Sequence, residues 1–365
     1  MTSKKMTESI MESGIRNQES GIRNQESGIR NQESAIHVAL AIYDPSGKYS
    51  QHAGVVITSI FENTQSPVVI HLLHDDTLTQ DNREKFLRTV QKYSQEIEFV
   101  NIEKYKSQLT DELRKISEIW TIGTLYRLFM PEVLDLDKVI YLDSDILVNL
   151  DIKNFWDIDF EGKSLVGATP IPLRANFAGM LEKCRRKFMG SDSESYVNAG
   201  VLIMNLRKMR ERGSIFKIAV DFMLAKESLV LYPDQDALNS IFSGDVKLVS
   251  KRFNHSRVAD ALSDCIIHVT GNWKPWSGVL GRQVDRLYWK MLIRSAWGEN
   301  LTSDELIDKI NDSASSTVML PMYHHRGIQC VKRILRSVWL RIIGLFRIIR
   351  FFLAFTLCAV KDKGK

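Results

Sequence analysis

The residues most able to do chemistry in this 365-residue chain stand in KVIYLDSDILV, where an apolar run ends in Asp143-Ser144-Asp145 and resumes at once. Two carboxylates two positions apart, at the lip of a buried strand, are costly to desolvate unless a positive partner meets them. A hard divalent cation is the natural partner, and oxygen ligands suit magnesium or manganese. The competing reading is a strand-end turn whose aspartates cap backbone amides. Further along, CIIHVTGNWKPW sets His268 at the end of another apolar run. An imidazole joining two carboxylates makes a donor set for manganese, while His268 alone reads equally as a hydrogen-bonded core histidine. Gly271 lets backbone approach a ligand closely, and Lys274 offers a point charge to a diphosphate. In YPDQDALN, Asp234, Gln235 and Asp236 open a helical pattern, with Asp234 as candidate cap and Asp236 in the first turn. Asn198, in YVNAGVLIMNL, precedes an apolar strand, where a side-chain amide can read a sugar hydroxyl.

The elements that must position these residues alternate. IHVALAIYD is a short apolar strand closed by a Pro-Ser-Gly turn, AGVVITSIFEN carries a helical pattern, and VVIHLLHDD is a second strand. A helix capped by Thr79 leads to a third strand, EIEFVNIE; TLYRLFMPEVL then reads as a helix before KVIYL. A second half follows, with SLVGAT, VLIMNL, a helix from Ser214, VKLVS and CIIHVTG. Strands alternating with helices predict an α/β fold, a mostly parallel central sheet flanked by helices. Ligands in such sheets sit at the carboxyl ends of the strands.

Composition narrows the class. Four cysteines, with no C-x-x-C pair, argue against a disulfide framework or a structural zinc and suit a reducing compartment. The first 34 residues hold no apolar run, so no signal peptide is expected. The net charge of +5 divides unevenly: Val331–Lys365 holds nine Lys and Arg against Asp362, a net +8, which leaves −3 for the rest. A nucleic-acid-binding domain would carry its basic stripe on the folded surface instead.

Both ends depart from the globular pattern. ESGIRNQ runs in tandem from Glu12, Glu19 and Glu26, with one apolar residue per seven where a coiled-coil seam needs two. Residues 1–34 therefore read as a disordered repeat of no catalytic consequence. A single catalytic domain is expected over 35–298, then a short helix and linker over 299–330. The tail 331–365 gathers Lys332, Arg333, Arg336, Arg347 and Arg350 on one helical side, opposite Ile334, Leu335, Val338, Ile342, Leu345, Phe346 and Ile349. It predicts a basic amphipathic helix lying on an anionic membrane surface, with a packed core helix or a true span as alternatives.

The order Tyr126-Arg127, YLDSD, VNAG, PDQD and HVTGNWKPW resembles the family-8 retaining glycosyltransferases, which include bacterial lipopolysaccharide galactosyl- and glucosyltransferases and glycogenin. The resemblance covers roughly Ile36 to Trp276 and implies a GT-A fold, a UDP-hexose donor and Mn²⁺. It implies that Asp143, Asp145 and His268 bind the metal, that Ser144 stands with them at the donor, and that Gly271 and Lys274 contact the diphosphate. Arg127 would approach the donor, Asp234 and Gln235 would line the reacting face of the sugar, and Asn198 would sit near it. Asp44 and Tyr49 are candidate base contacts, although IYDPSGKYSQHAG carries extra residues there. The family's acceptor-side aspartate is not evident in VGATPIPLR. The expected protein is thus a transferase of hexose from a UDP-sugar to a lipopolysaccharide or other cell-surface glycan, peripheral on the cytoplasmic face of the plasma membrane. The alternatives are a non-catalytic nucleotide-sugar or membrane-binding protein of the same fold, or a metal-dependent sugar nucleotidyltransferase.

Overall fold

The computed structural model describes residues 35–110, 113, 121–169, 176–256, 263–270, 274–277, 282–299 and 301–302. The heptapeptide segment 1–34, Gly271, the polar helix expected after Thr302 and the basic tail lie outside them.

Seven strands form the central sheet. The apolar run after Ala35 is β1 (Ile36–Ile42), and VVIHLLH is β2 (Val68–His74), buried along its whole length. The others are β3 (Glu96–Asn101), β4 (Lys138–Leu142), β6 (Leu165–Gly167), β7 (Val201–Asn205) and β8 (Val246–Leu248), in the order β3-β2-β1-β4-β7-β6-β8. β7 alone runs antiparallel to its neighbours β4 and β6; the remaining pairs are parallel. Such burial on both faces is what continuous apolar runs in parallel strands produce.

Alternate residues of β1 feed two cores. Ile36, Val38, Leu40 and Ile42 pack with Ala53, Val56, Ile57 and Ile60 of α1 (Ser50–Phe61). Ala39 faces the other core, with Leu125, Phe129 and residues of α4 (Ile215–Ala225). Cutting Leu40 to Ala would cost about 2–5 kcal/mol, because neither packed face can collapse into the void. The helix α2 (Gln80–Lys92) begins at Thr79, whose hydroxyl accepts from Asn82 N, as the sequence suggested.

Two elements differ from expectation. The segment TLYRLFMPEVL is a 3₁₀ helix over Ile122–Phe129 and only one α turn, Met130–Val133. Pro131 has no N–H to extend a regular α ladder through that point. Nor is Asp234 the cap of its helix α5 (Pro233–Ile241): Tyr232 is the N-cap residue, and the Asp236 carboxylate accepts from Leu231 N and Tyr232 N. Asp234 is thereby released to face the cleft.

A separate two-stranded sheet does the positioning. β5 (Ile146–Asn149) and β9 (Cys265–His268) are antiparallel, with Ile146 opposite His268, and Asp145 O accepts from Val269 N at 3.1 Å. That pairing sets the Asp-Ser-Asp turn beside the late histidine, 123 positions away in sequence. No helix among the described residues is long and apolar enough to cross a membrane.

Candidate active site

At the carboxyl end of β4 the chain turns through Asp143-Ser144-Asp145, and Asp143 N donates to Gly200 O at 2.9 Å, continuing the β4–β7 ladder by one step. One ligand atom from each of Asp143, Asp145 and His268 lies within 4.8 Å of the other two. Each carboxylate uses one oxygen elsewhere. Asp143 Oδ1 accepts from Arg127 Nη2 and Tyr141 Oη, both at 2.7 Å, which leaves Oδ2 turned toward Gly200. Asp145 Oδ2 accepts from Lys274 Nζ at 2.5 Å, while its buried Oδ1 has no hydrogen-bond partner among the described residues and lies 3.2 Å from His268 Nε2. The neighbouring Ser144 hydroxyl is likewise buried without a partner among the described residues. Burial alone would raise the Asp145 carboxyl, but His268 and Lys274 hold it well below the usual carboxylate range.

The tautomer of His268 follows from its neighbours. Gly200 N is a donor, so the atom of Asn198 it meets at 3.0 Å is the carbonyl oxygen. Asn254 Nδ2 donates to that same oxygen at 3.0 Å, which turns Asn254 Oδ1 toward His268 Nδ1, 3.1 Å away. An acceptor facing Nδ1 requires the proton there, so Nε2 carries the lone pair toward the two carboxylates. The same logic runs the other way. Asn198 Nδ2 and Ala199 N both donate to Gln235 Oε1, so Gln235 Nε2 donates to Tyr196 Oη. Tyr196 in turn donates to Asp236, which Arg185 holds through Nη1 and Nη2 at 2.9 and 3.1 Å. One connected network therefore orients the histidine and the glutamine.

Gly200 is what makes room. A Cβ there would stand 2.3 Å from His268 Cε1 and 2.5 Å from Asp143 Oδ2, so the space that closes the site accepts hydrogen only. Convergent oxygens, an unused imidazole lone pair, the partnerless Asp145 Oδ1 and this cradle fit a hard divalent cation.

Arg127 is the central cation of the site. It is 3% exposed, donates to Ala199 O and Asp143 Oδ1, lies 3.2 Å from Asp234 Oδ2, and spreads over the Tyr141 ring at 4.3 Å. Burial pushes the Asp234 carboxyl up; Arg127 opposes that rise and the nearby Asp143 adds to it. Asp143, Asp145, His268, Lys274, Arg127, Asn198, Asp234, Gln235 and the exposed Tyr232 together line one cavity of about 280 Å³. A larger cavity of about 660 Å³, lined by His37, His71 and Trp156, opens at the amino ends of the strands. The smaller one is the better site, because it lies at the strands' carboxyl ends and holds the convergent charges.

Lys274 is braced from behind. His52 of α1 stacks on Trp276, ring centroids 3.7 Å apart, and its Nδ1 meets Tyr288 Oη at 2.7 Å on α6 (Gln283–Arg294). The two helices thus grip the turn that follows the lysine. Asp44 is buried, its carboxylate accepting from Tyr49 N, Ser50 N and Ser50 Oγ at the start of α1; these hydrogen bonds overcome burial and hold it below its ordinary range. Tyr49 keeps 39% exposure, its ring edge-on to His52. Neither lines the cavity. Sequence reasoning passed over Gly200, Asn254, Tyr141 and Tyr196. Gly200 had a signal in VNAG, a glycine at the mouth of a buried strand; Asn254 had none, since a lone Asn in RFNHS marks any turn.

The family model of glycosyl transferase family 8 matches residues 41–279. A Haemophilus influenzae (strain ATCC 51907 / DSM 11121 / KW20 / Rd) relative is 29% identical over 214 residues, 58% of this chain and 62% of its own length. A lipopolysaccharide 1,2-glucosyltransferase of Escherichia coli is 28% identical over 250 residues, covering 62% of this chain and 70% of that one. Among solved structures, the galactosyltransferase LgtC in complex with donor and acceptor sugar analogs superposes with a TM-score of 0.60 at 24% identity, over 75% of this chain and all of LgtC.

Proposed function

The chain belongs to glycosyl transferase family 8, and we propose that it is a retaining hexosyltransferase that moves galactose or glucose from a UDP-sugar to a lipopolysaccharide or similar cell-surface glycan, with Mn²⁺ or Mg²⁺ held by Asp143, Asp145 and His268. The observation that carries this reading is the convergence of those three side chains around Gly200, beside Lys274. The E. coli lipopolysaccharide glucosyltransferase and the GT-A likeness to LgtC support the acceptor and donor classes.

When bound, the cation supplies Lewis-acid stabilisation to the departing diphosphate. Lys274, already at the metal residues, places a second positive charge there in a water-poor cleft where charges act strongly. Gly271, before it, would bring backbone N–H groups to the same anion. Ser144 offers its partnerless hydroxyl at the donor side. Arg127 neutralises Asp143 and Asp234 together, which keeps two carboxylates tolerable at one wall of the sugar pocket.

In the transfer, the bond from the anomeric carbon to the diphosphate oxygen breaks with its electron pair leaving on that oxygen. The acceptor hydroxyl oxygen forms the new bond, and its proton passes to the departing phosphate. Gln235 Oε1 already accepts from Asn198 and Ala199, which lowers its power as a nucleophile. That favours acceptor entry on the face the diphosphate leaves, with Gln235 and Asn198 positioning the sugar and Asp234 turned to its hydroxyls. Tyr49, half exposed beyond α1's start, would stack on uracil, and Asp44 would shape the turn that presents it. The basic tail 331–365 would hold the enzyme to the inner face of the plasma membrane.

A screen of UDP-sugars for UDP release, with and without Mn²⁺, tests the reading. One hexose donor should stand out, only with metal, and Asp145→Ala should abolish its turnover without unfolding the protein. Metal-independent release, or full turnover in Asp145→Ala, would remove the metal assignment.

A further inference from the structure

The heptapeptide repeat is the motif that neither the fold nor the site absorbs. ESGIRNQ occurs three times without a break from Glu12, and Glu33-Ser34 begin a fourth copy just before Ala35 opens the fold. Copies identical at all seven positions point to duplication of coding sequence rather than to selection on a peptide surface, which would leave its exposed positions free to drift. Seven codons are twenty-one nucleotides, and twenty-one is also three copies of a seven-nucleotide unit. Because seven is not a multiple of three, such a unit is read in each frame in turn, and the peptide repeats only after seven codons.

That origin makes a demand on the residues, since every base of the unit must serve once at each codon position. Glu12 fixes the first two bases as GA and the third as A or G. Gly14 is read from the seventh, first and second bases, so the seventh is G. Ile15, from the third to fifth, makes the third A and the fourth T. Ser13 then begins with T and needs C as the fifth base. Gln18, from the fifth to seventh, makes the sixth A. The unit is GAATCAG with no freedom left, and the two remaining codons are forced: AGG, arginine, and AAT, asparagine. Arg16 and Asn17 stand at those positions. The period runs from the first base of Glu12 through Ser34, twenty-three codons, to the G that opens every alanine codon at Ala35, which makes seventy bases and ten whole units.

We propose that this chain is encoded across a tract of ten GAATCAG units and that gain or loss of units by slippage during replication switches synthesis of the transferase on and off. A change of one or two units shifts the frame of everything after Ser34, including Asp143, Asp145 and His268. A change of three restores the frame and lengthens or shortens the chain by one ESGIRNQ. No codon of the unit is a stop in any frame, so the tract is always read through as the same heptapeptide and the loss falls on the residues beyond Ser34. Met1, Met6 and Met11 all precede the tract, and the next methionine, Met130, lies beyond β1, β2 and β3, so no later start restores the sheet. The fold permits the in-frame changes: its first strand begins at Ile36, whose N–H is tied to Pro67 O at 2.8 Å, downstream of every repeat.

The test tracks the number of units in single-colony lineages, with an immunoblot for the chain. It is run beside a strain whose repeat is recoded with synonymous codons, so that the peptide is kept and the seven-base period lost. Lengths should change in seven-base steps, with the chain present at seven, ten or thirteen units and absent between. The recoded strain should hold one length and keep the chain. Synonymous changes that already break the period in the natural gene would overturn the proposal. So would a uniform tract no more variable than the recoded one, or full-length chain at nine or eleven units. The readout is the chain itself, so failure here leaves the transferase reading standing.

Discussion

His268 Nδ1 and Asn254 Oδ1 lie 3.1 Å apart, and this contact decides which imidazole nitrogen can serve the cation site. The Asn254 amide is itself oriented by Asn198, and Asn198 by the N–H of Gly200. A backbone donor at one end of the network thus fixes a tautomer at the other. The arrangement is a common one for metal-binding histidines, whose second nitrogen is held by an oxygen acceptor.

Asn254→Leu should therefore weaken Mn²⁺ binding by about 10–100-fold, the usual cost of losing such an outer partner. Asn254→Asp keeps an acceptor for Nδ1 and should recover much of the affinity. Titration of both variants with Mn²⁺ by calorimetry checks this; equal affinity in Asn254→Leu and the unaltered protein would show that the contact does not govern the histidine.

Gly200→Ala tests the cradle. The added methyl would need the space of His268 Cε1 and Asp143 Oδ2, at 2.3 and 2.5 Å. Both are held, His268 by β9 and Asp143 by Arg127 and Tyr141, so the site should open rather than relax. Overpacking of this kind costs about 1–3 kcal/mol of stability. Mn²⁺ affinity and UDP release should fall much further than that loss explains, as thermal melts and activity measured side by side will show.

Lys274→Ala should lower kcat/KM by about 10²–10³, the range seen when one preorganised group facing developing charge is removed. The drop should appear in both kcat and KM, since the ammonium faces diphosphate in the bound donor and in the departing one. An unchanged kcat/KM would show that Lys274 serves only to neutralise Asp145.

How much of this could be read from sequence depends on how local each signal is. The strands were legible because buried parallel strands are unbroken apolar runs, and Thr79 and Ser214 because a hydroxyl before a helical pattern has one common use. The pairing of Asp145 with His268 was legible only through motif order, since nothing local says that β5 and β9 pair. Asp234 misled as a cap because Asp236, two residues on, takes the backbone donors instead. Asn254 was invisible: its role exists only once β9 brings His268 to it.

Stability should fall as the solution is acidified from neutral. Burial pushes the His52 imidazole down to about 3, and burial with the neighbouring His37 pushes His71 down to about 4. The unfolded chain takes up these protons near 6.5 while the folded chain does not, so it binds more protons below that value. The contribution is whole above 6.5 and is lost as pH falls toward the folded values, by up to about 1.4 kcal/mol per pH unit for each histidine. His52→Gln, which retains a hydrogen-bonding group toward Tyr288, should remove one proton from that slope. Urea unfolding at pH 7, 6 and 5 measures it, and a slope unchanged in His52→Gln would mean that His52 protonates in the folded chain.

Deleting residues 331–365 should turn a membrane-associated enzyme into one that stays in solution and still acts on a soluble acceptor. The tail carries +8 and the remainder −3, so attraction to an anionic leaflet resides in the tail, at about 1 kcal/mol for each basic residue near the surface. Its apolar side, from Ile334 to Ile349, supplies the second contact that stable but reversible binding needs. Arg341, Arg347 and Arg350 oppose a full span, because each costs about 2.5–3.5 kcal/mol at a bilayer centre. Every residue of the cavity lies at or before Lys274, so the chemistry should survive the deletion. Sedimentation with anionic and neutral vesicles at low and high salt separates the possibilities. Binding that ignores both lipid charge and salt would exclude an electrostatic surface helix. The need for detergent to release the protein would then point to a span, and its absence to a helix packed on the enzyme.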